Sequence, residues 1–203
     1  YVVNLGGYVD HSKKQKTFKS HFIGCKNLAD YFLDKNLKSF VQMGSSVENG
    51  YQKSPQIEKL INDISKIKSM YGLSKLKASN YLIELYKKNN FPVTILRLYL
   101  AYGEKQDLNR FIPITINSCV RNLEFDCSNG SQKRDFIYVD DVIESFILAI
   151  ESNRAENQIF NIGTGRTKTI VDVFKIIKKK LKKGKFVYAP KDDTELSYVC
   201  ADI

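Results

Sequence analysis

Tryptophan is absent from this 203-residue chain, and cysteine, proline, histidine and methionine are scarce, at four, four, two and two. Cys25, Cys119, Cys127 and Cys200 are widely scattered, none within C-x-x-C spacing of another or of His11 or His21. That excludes a disulfide framework and the usual zinc spacings, so reduced, mostly structural thiols are expected. No apolar run approaches the roughly 18 residues a membrane helix needs, and no basic, apolar, small-residue leader opens the chain. A soluble cytoplasmic protein with no membrane partner is expected.

Arginine is also sparse. Of 32 basic residues only six are Arg (97, 110, 121, 134, 154 and 166) and 26 are Lys, in a chain of formal charge +10. Phosphate and base recognition favours arginine forks with interleaved aromatics, which the lysine run between Lys175 and Lys185 lacks. Its pattern, with Val171, Val173, Phe174, Ile176, Ile177 and Leu181 set among Lys178, Lys179, Lys180, Lys182 and Lys183, reads as an amphipathic helix with a solvated outer face. A nucleic-acid partner is therefore not expected.

What is present describes a globular protein with one substantial core, with 43% hydrophobic and 12% aromatic residues. Tyr1 to Leu5 is a short apolar run ending at Gly6-Gly7, the profile of a buried parallel strand. A helix from about Thr17 to Lys35, a strand from Ser39 to Met43 ending at Gly44-Ser45-Ser46, a polar loop from Glu48 to Ser69, a long helix from about Met70 to Asn89 and a strand from Val93 to Tyr99 follow. That alternation predicts a parallel α/β sheet with ligands beyond the carboxyl ends of its strands, where Gly6-Gly7, Ser45-Ser46 and Tyr102-Gly103 all fall. Further on, a helix over Phe111 to Asn122, strands at Glu124 to Asp126, Arg134 to Val139 and Gln158 to Ile162, a turn at Ser128-Asn129-Gly130, and a helix from Val142 to Glu151 capped by Asp140-Asp141 are expected. Thr169 to Asp172 resembles a capping box that opens the lysine-faced helix.

Within this frame Tyr71 and Lys75, four residues apart, share one helix face. An ammonium beside a phenol favours phenolate, which predicts a tyrosine pKa below its usual value of about 10 and an acid or base usable near neutrality. The Ser45 hydroxyl could hold a substrate oxygen beside it. Gly163-Thr164-Gly165, between a strand and a helix, mimics a dinucleotide loop, but lacks the third glycine and the acidic residue about 20 positions later.

Asn4-Leu5-Gly6-Gly7, Gly44-Ser45-Ser46, Tyr71-x-x-x-Lys75, Arg97 to Gly103, Gln132 to Val142 and Phe160-Asn161-Ile162-Gly163 occur in the order and at the spacings of the extended short-chain dehydrogenase/reductase family. The chain resembles its NAD-dependent epimerase/dehydratase group, which acts on nucleotide sugars. The resemblance implies an α/β fold: a partial Rossmann-type doubly wound parallel sheet with a smaller α/β substrate-binding part. Residues 1-103 would form the C-terminal part of the dinucleotide-binding domain. Residues 104-203 would form mainly the substrate region, with about 134-157 packing back on the sheet.

It further implies that Tyr71 is the acid/base, that Lys75 lowers its pKa and binds the nicotinamide ribose, and that Ser45 bonds the reacting oxygen. Leu5, Gly6 and Gly7 would line NAD or NADP, while Ser46 and Arg134 would contact a nucleotide-diphosphate sugar, Arg134 gripping the diphosphate. A surface ion pair with Asp135 is the structural alternative for Arg134. No metal is implied. A homodimer through the helices beginning at Thr17 and Met70 is suggested, with Leu73, Leu76, Tyr81, Leu82, Leu85 and Tyr86 offering apolar surface, although an intramolecular core could use the same residues.

Departures refine the expectation. Ser46 and Val47 stand where dehydratases carry Asp-Glu, which disfavours a 4,6-dehydratase and leaves a C4 epimerase or a 4-keto-sugar reductase. Asn49, Leu100 and His21 replace a tyrosine and two asparagines common in the family. The glycine-rich pyrophosphate turn that should precede Tyr1 and the family's C-terminal continuation are absent, so a fragment of a longer enzyme, inactive by itself, is expected. A non-catalytic relative that binds dinucleotide or nucleotide sugar is the rival from another class.

Overall fold

The computed structural model describes residues 1–60, 63–127, 130–188 and 196–203. In chain order its elements are β1 (Val2–Asn4), α1 (Lys14–Phe18) continued through a π-helical turn (Lys19–Ile23) into α2 (Gly24–Phe32), β2 (Phe40–Ser45), α3 (Met70–Asn89), β3 (Val93–Leu98) and β4 (Leu100–Tyr102). Then come α4 (Phe111–Arg121), β5 (Glu124–Cys127), β6 (Lys133–Tyr138), α5 (Val139–Glu151), β7 (Ile159–Ile162), β8 (Thr167–Thr169), α6 (Ile170–Leu181), β9 (Lys185–Tyr188) and β10 (Tyr198–Val199).

The strands β1-β2-β3-β7 form one all-parallel sheet. Side chains alternate across it. Phe40, Val93 and Ile95 meet Ala78, Leu82, Ile83 and Leu85 of α3 and Cys25 and Ala29 of α2 on one face, whereas Val41 and Leu96 meet Phe146, Ala149 and Ile150 of α5 on the other. This two-layer burial makes the strands read as near-continuous apolar runs. Leu76, Leu82 and Leu85 are consumed by this core, and Leu73, Tyr81 and Tyr86 are half-buried, so the surplus apolar surface expected on α3 is largely spent within the chain.

β4 leaves the first sheet after Tyr99 and pairs with β6, which also takes β10 in parallel and β8 antiparallel. β5 and β9 pair separately, and α4 packs on α6 through Cys119, Phe174, Ile114 and Ile177. The helix α5 begins earlier than expected: Asp140 and Asp141 lie in its first turn, behind the N-cap Tyr138. There they complement the helix dipole without capping it. Cys25, Cys119 and Cys200 are buried and unbridged; the side chain of Cys127 and the expected turn residues Ser128 and Asn129 lie outside the described residues. No helix among the described residues is long and apolar enough to cross a membrane.

Candidate active site

Two local devices bring the chemistry to the carboxyl edge of the sheet. Ser69 caps α3 by accepting the Gly72 amide at 3.0 Å, and Asn90, left-handed at φ 53°, closes the helix with its amide on the Tyr86 carbonyl at 2.8 Å. The capped helix starts at Met70, which sets Tyr71 beside the end of β2. The second device is the π-helical turn Lys19–Ile23, a one-residue dilation of the kind often found at functional sites. It carries His21 inward, where Nε2 lies 3.1 Å from the Tyr8 carbonyl oxygen.

Ser45, the last residue of β2, lies beside Tyr71, near enough for its hydroxyl to draw the phenol's pKa down. One turn further along α3, Lys75 is buried and donates to the Met43 carbonyl at 2.7 Å, with its ammonium 5.9 Å from the phenol centroid. The three residues that the sequence grouped are thus together. The expected direction of the tyrosine shift is not observed. Burial pushes the Tyr71 phenol above its ordinary value, against the opposing pull of the Ser45 hydroxyl and the charge of Arg110, while the carboxylate of Glu48 adds to the rise. The physical reason is that Lys75 is turned to a backbone carbonyl and is itself lowered by burial.

Two histidines enclose the phenol, and the sequence noted His21 only as standing in place of a family asparagine. The His11 ring is stacked on Tyr71 with centroids 3.9 Å apart and planes 12° from parallel, and the His21 ring meets it edge-on at 4.9 Å. Burial holds His11 below the usual histidine range, helped by Arg110 and Lys75; burial and Lys75 bring His21 down to about 4. Both rings are neutral near pH 7. Nothing in a lone His11 or His21 betrays this; the spacing V-D-H-S in a loop carries no chemistry by itself.

Leu5, Gly6 and Gly7 lie exposed at the end of β1. Gly7 has a packing reason of its own, since a Cβ there would come 1.9 Å from the His21 ring. Ser46 and Arg134 share an adjoining cavity of about 300 Å³ with Val47, Lys68, Ser69 and Tyr99. Arg134 is half-buried and donates from Nη1 to the Lys133 carbonyl at 3.1 Å.

The neighbouring Asp135 is engaged elsewhere. Its carboxylate accepts the Thr164 amide at 2.8 Å, the Thr164 hydroxyl at 2.7 Å and the Gly165 amide at 3.0 Å. The Gly163-Thr164-Gly165 loop therefore folds around an internal anion where a phosphate-binding loop would hold an external one. Among the described residues no cluster of three His, Cys, Asp or Glu has the arrangement of a metal site.

The description of the NAD dependent epimerase/dehydratase family matches residues 1–163. CDP-abequose synthase of Salmonella muenchen is 38% identical over 115 residues, which is 54% of this chain and 39% of that protein. A putative UDP-glucose 4-epimerase of Methanocaldococcus jannaschii is 34% identical over 141 residues, 66% of this chain and 45% of its own length. The chain thus spans less than half the length of these relatives. Among solved structures, UDP-glucose 4-epimerase with UDP-glucose from Thermotoga maritima superposes with a TM-score of 0.86 at 25% identity, covering 100% of this chain and 68% of that one. A parallel sheet whose strand ends gather serine, tyrosine and lysine, a matching family description over four-fifths of the sequence and these relatives agree, and the chain belongs to the NAD-dependent epimerase/dehydratase family.

Proposed function

We propose that the whole protein is an NAD(P)-dependent nucleotide-sugar 4-keto reductase or C4 epimerase in which Tyr71 exchanges the proton at the sugar oxygen. The observation that carries this reading is the placing of Ser45 at the end of β2 beside Tyr71 at the start of α3, with Lys75 one turn behind and its ammonium 5.9 Å from the phenol ring. A hydroxyl and a phenol side by side form a two-point seat for one substrate oxygen: Ser45 orients it, and Tyr71 gives or takes its proton. Lys75 sits deep enough for its charge to act on that oxygen through little solvent.

The chain's residues fit the nicotinamide end of a dinucleotide. Leu5 and Gly6 are exposed at a parallel strand's carboxyl end, and a Cβ at Gly6 would meet only the Asn4 side chain, at 3.2 Å. Leu5, Gly6, Gly7, Tyr71 and Lys75 would hold that end. When bound, NAD or NADP supplies or accepts the hydride at the sugar carbon. Tyr71, raised by burial, is protonated at neutral pH, which suits a donor to the oxygen of a carbonyl being reduced.

Arg134 and Ser46 would take the diphosphate and the neighbouring sugar atoms in their shared cavity. Ser46 and Val47 supply no acid and base of the kind an elimination of water needs, which speaks against a 4,6-dehydratase. The test is a screen of the full-length protein with UDP-, dTDP-, GDP- and CDP-hexoses and their 4-keto forms, with either dinucleotide, reading product stereochemistry by NMR. A reductase yields one C4 alcohol with consumption of reduced dinucleotide; an epimerase interconverts both C4 configurations without net consumption. Binding without any conversion would overturn the enzymatic reading in favour of a non-catalytic relative.

A further inference from the structure

Glu48 has no role in the reaction just proposed, yet it is the point at which three elements around the site meet. Its side chain is 0% exposed, as is that of Arg97. Oε1 accepts the Ser45 amide at 2.8 Å; Oε2 accepts the Ser79 hydroxyl of α3 at 2.8 Å and the Arg97 Nε–H of β3 at 3.2 Å. Arg97 is in turn fixed by Asn49 Oδ1 at 3.1 Å and the Lys59 carbonyl at 2.8 Å. We infer that Glu48 is a positioning residue for the proposed reaction, tying Ser45 to the helix that carries Tyr71 and Lys75 and setting the charge behind them; the inference rests on the function proposed above.

The arrangement is specific to a carboxylate. Two oxygens accept three donors from three different elements, which neither an alcohol nor a hydrocarbon of this size could do. Gly44 makes room for it, because a Cβ there would lie 2.6 Å from Oε1. An arginine inside the apolar run of β3 is costly without such a partner, since an unpaired buried charge is strongly destabilising. The same pairing also leaves the carboxylate near the site in a dry setting, where its charge adds to the rise of Tyr71 and opposes the lowering of Lys75 by burial. The charged and titratable groups around it are Arg97 from β3, Tyr71 and Lys75 from α3 and Cys25 from α2; His11, His21 and Arg110 act on or pack against Tyr71.

Glu48→Gln in the full-length protein tests this, with the Tyr71 phenol followed by ring-labelled tyrosine NMR and assigned by its disappearance in Tyr71→Phe. The expected result is a downward shift of the Tyr71 titration midpoint. With sugar and dinucleotide supplied, kcat should fall about tenfold, as for loss of one well-made hydrogen bond to a charged group, with KM little changed. Because Gln leaves Arg97 uncompensated, the Glu48→Gln/Arg97→Gln variant restores charge balance and should show a smaller shift in the same direction from a folded protein. A midpoint unchanged from the parent in the folded single or double variant would overturn the inference. The titration needs no turnover, so a parent protein without hydride transfer would refute the proposed reaction while the midpoint still decides the role of Glu48.

Discussion

The imidazole of His11 lies flat on the phenol of Tyr71, centroids 3.9 Å apart. It shields one face of the ring from water, and burial is the largest cause of the raised Tyr71 pKa. His11→Ala should therefore lower the phenol's titration midpoint and move the alkaline limb of the pH–rate profile to lower pH. Loss of the stacked pair should cost about 1 kcal/mol in urea unfolding. An unmoved limb would mean that the stack does not control the phenol.

His21 links the active site to stability. The unfolded residue takes up a proton near 6.5, whereas the folded one does so only at about 4. Between those values the unfolded chain binds more protons, so stability is full above pH 6.5 and declines as pH falls towards 4. His21→Asn should flatten that slope in urea titrations run from pH 4 to 7. A slope equal to the parent's would show that His21 charges freely in the folded state.

Gly7 packs against the same ring. In Gly7→Ala the new methyl would meet His21 at 1.9 Å, so the loop after β1 or the π-helical turn must move. A loss of about 1–3 kcal/mol, read as a lower denaturant midpoint at constant m, is expected for overpacking of this kind. His21→Ala in the same background should restore part of it, and full additivity of the two changes would contradict the proposed contact.

Asp135 holds β6 to the Gly163-Thr164-Gly165 loop and to the Ala201 amide, at 3.2 Å. Asp135→Ala would leave those amides unsatisfied and should destabilise by about 1–3 kcal/mol, without changing any affinity for free phosphate. Phosphate binding gained or lost in this variant would show that the loop receives an external anion after all.

Much of the fold was legible in the sequence because local signals agreed with the final packing. Ser69 and Asn90 bound α3 at the expected residues, and the apolar runs Phe40 to Met43 and Val93 to Leu98 are buried from both sides. Spacing on one helix face groups Tyr71 with Lys75, and the family resemblance joins Ser45 to them. What escaped depends on contacts between distant segments. The π-helical turn leaves no mark in hydrophobic spacing, and the stacking of His11 on Tyr71 joins a loop after β1 to a helix after β2. The pKa direction failed because spacing puts Lys75 near Tyr71 but does not reveal that its ammonium points to Met43. Arg97 did carry a signal, a charge within the run Val-Thr-Ile-Leu-Arg-Leu, which demands a buried counter-charge such as Glu48.

In the reaction proposed above, the Tyr71 hydroxyl moves the proton that accompanies hydride transfer at the sugar. Its most direct test is the full-length Tyr71→Phe variant, assayed with the nucleotide sugar that the parent converts by following deuterium from labelled reduced dinucleotide into the sugar carbon. The substitution leaves the buried ring in place, so folding and ligand binding should persist while the rate of deuterium transfer falls by a factor of about 10² to 10⁴. Transfer at the parent's rate in a folded Tyr71→Phe protein would contradict the account.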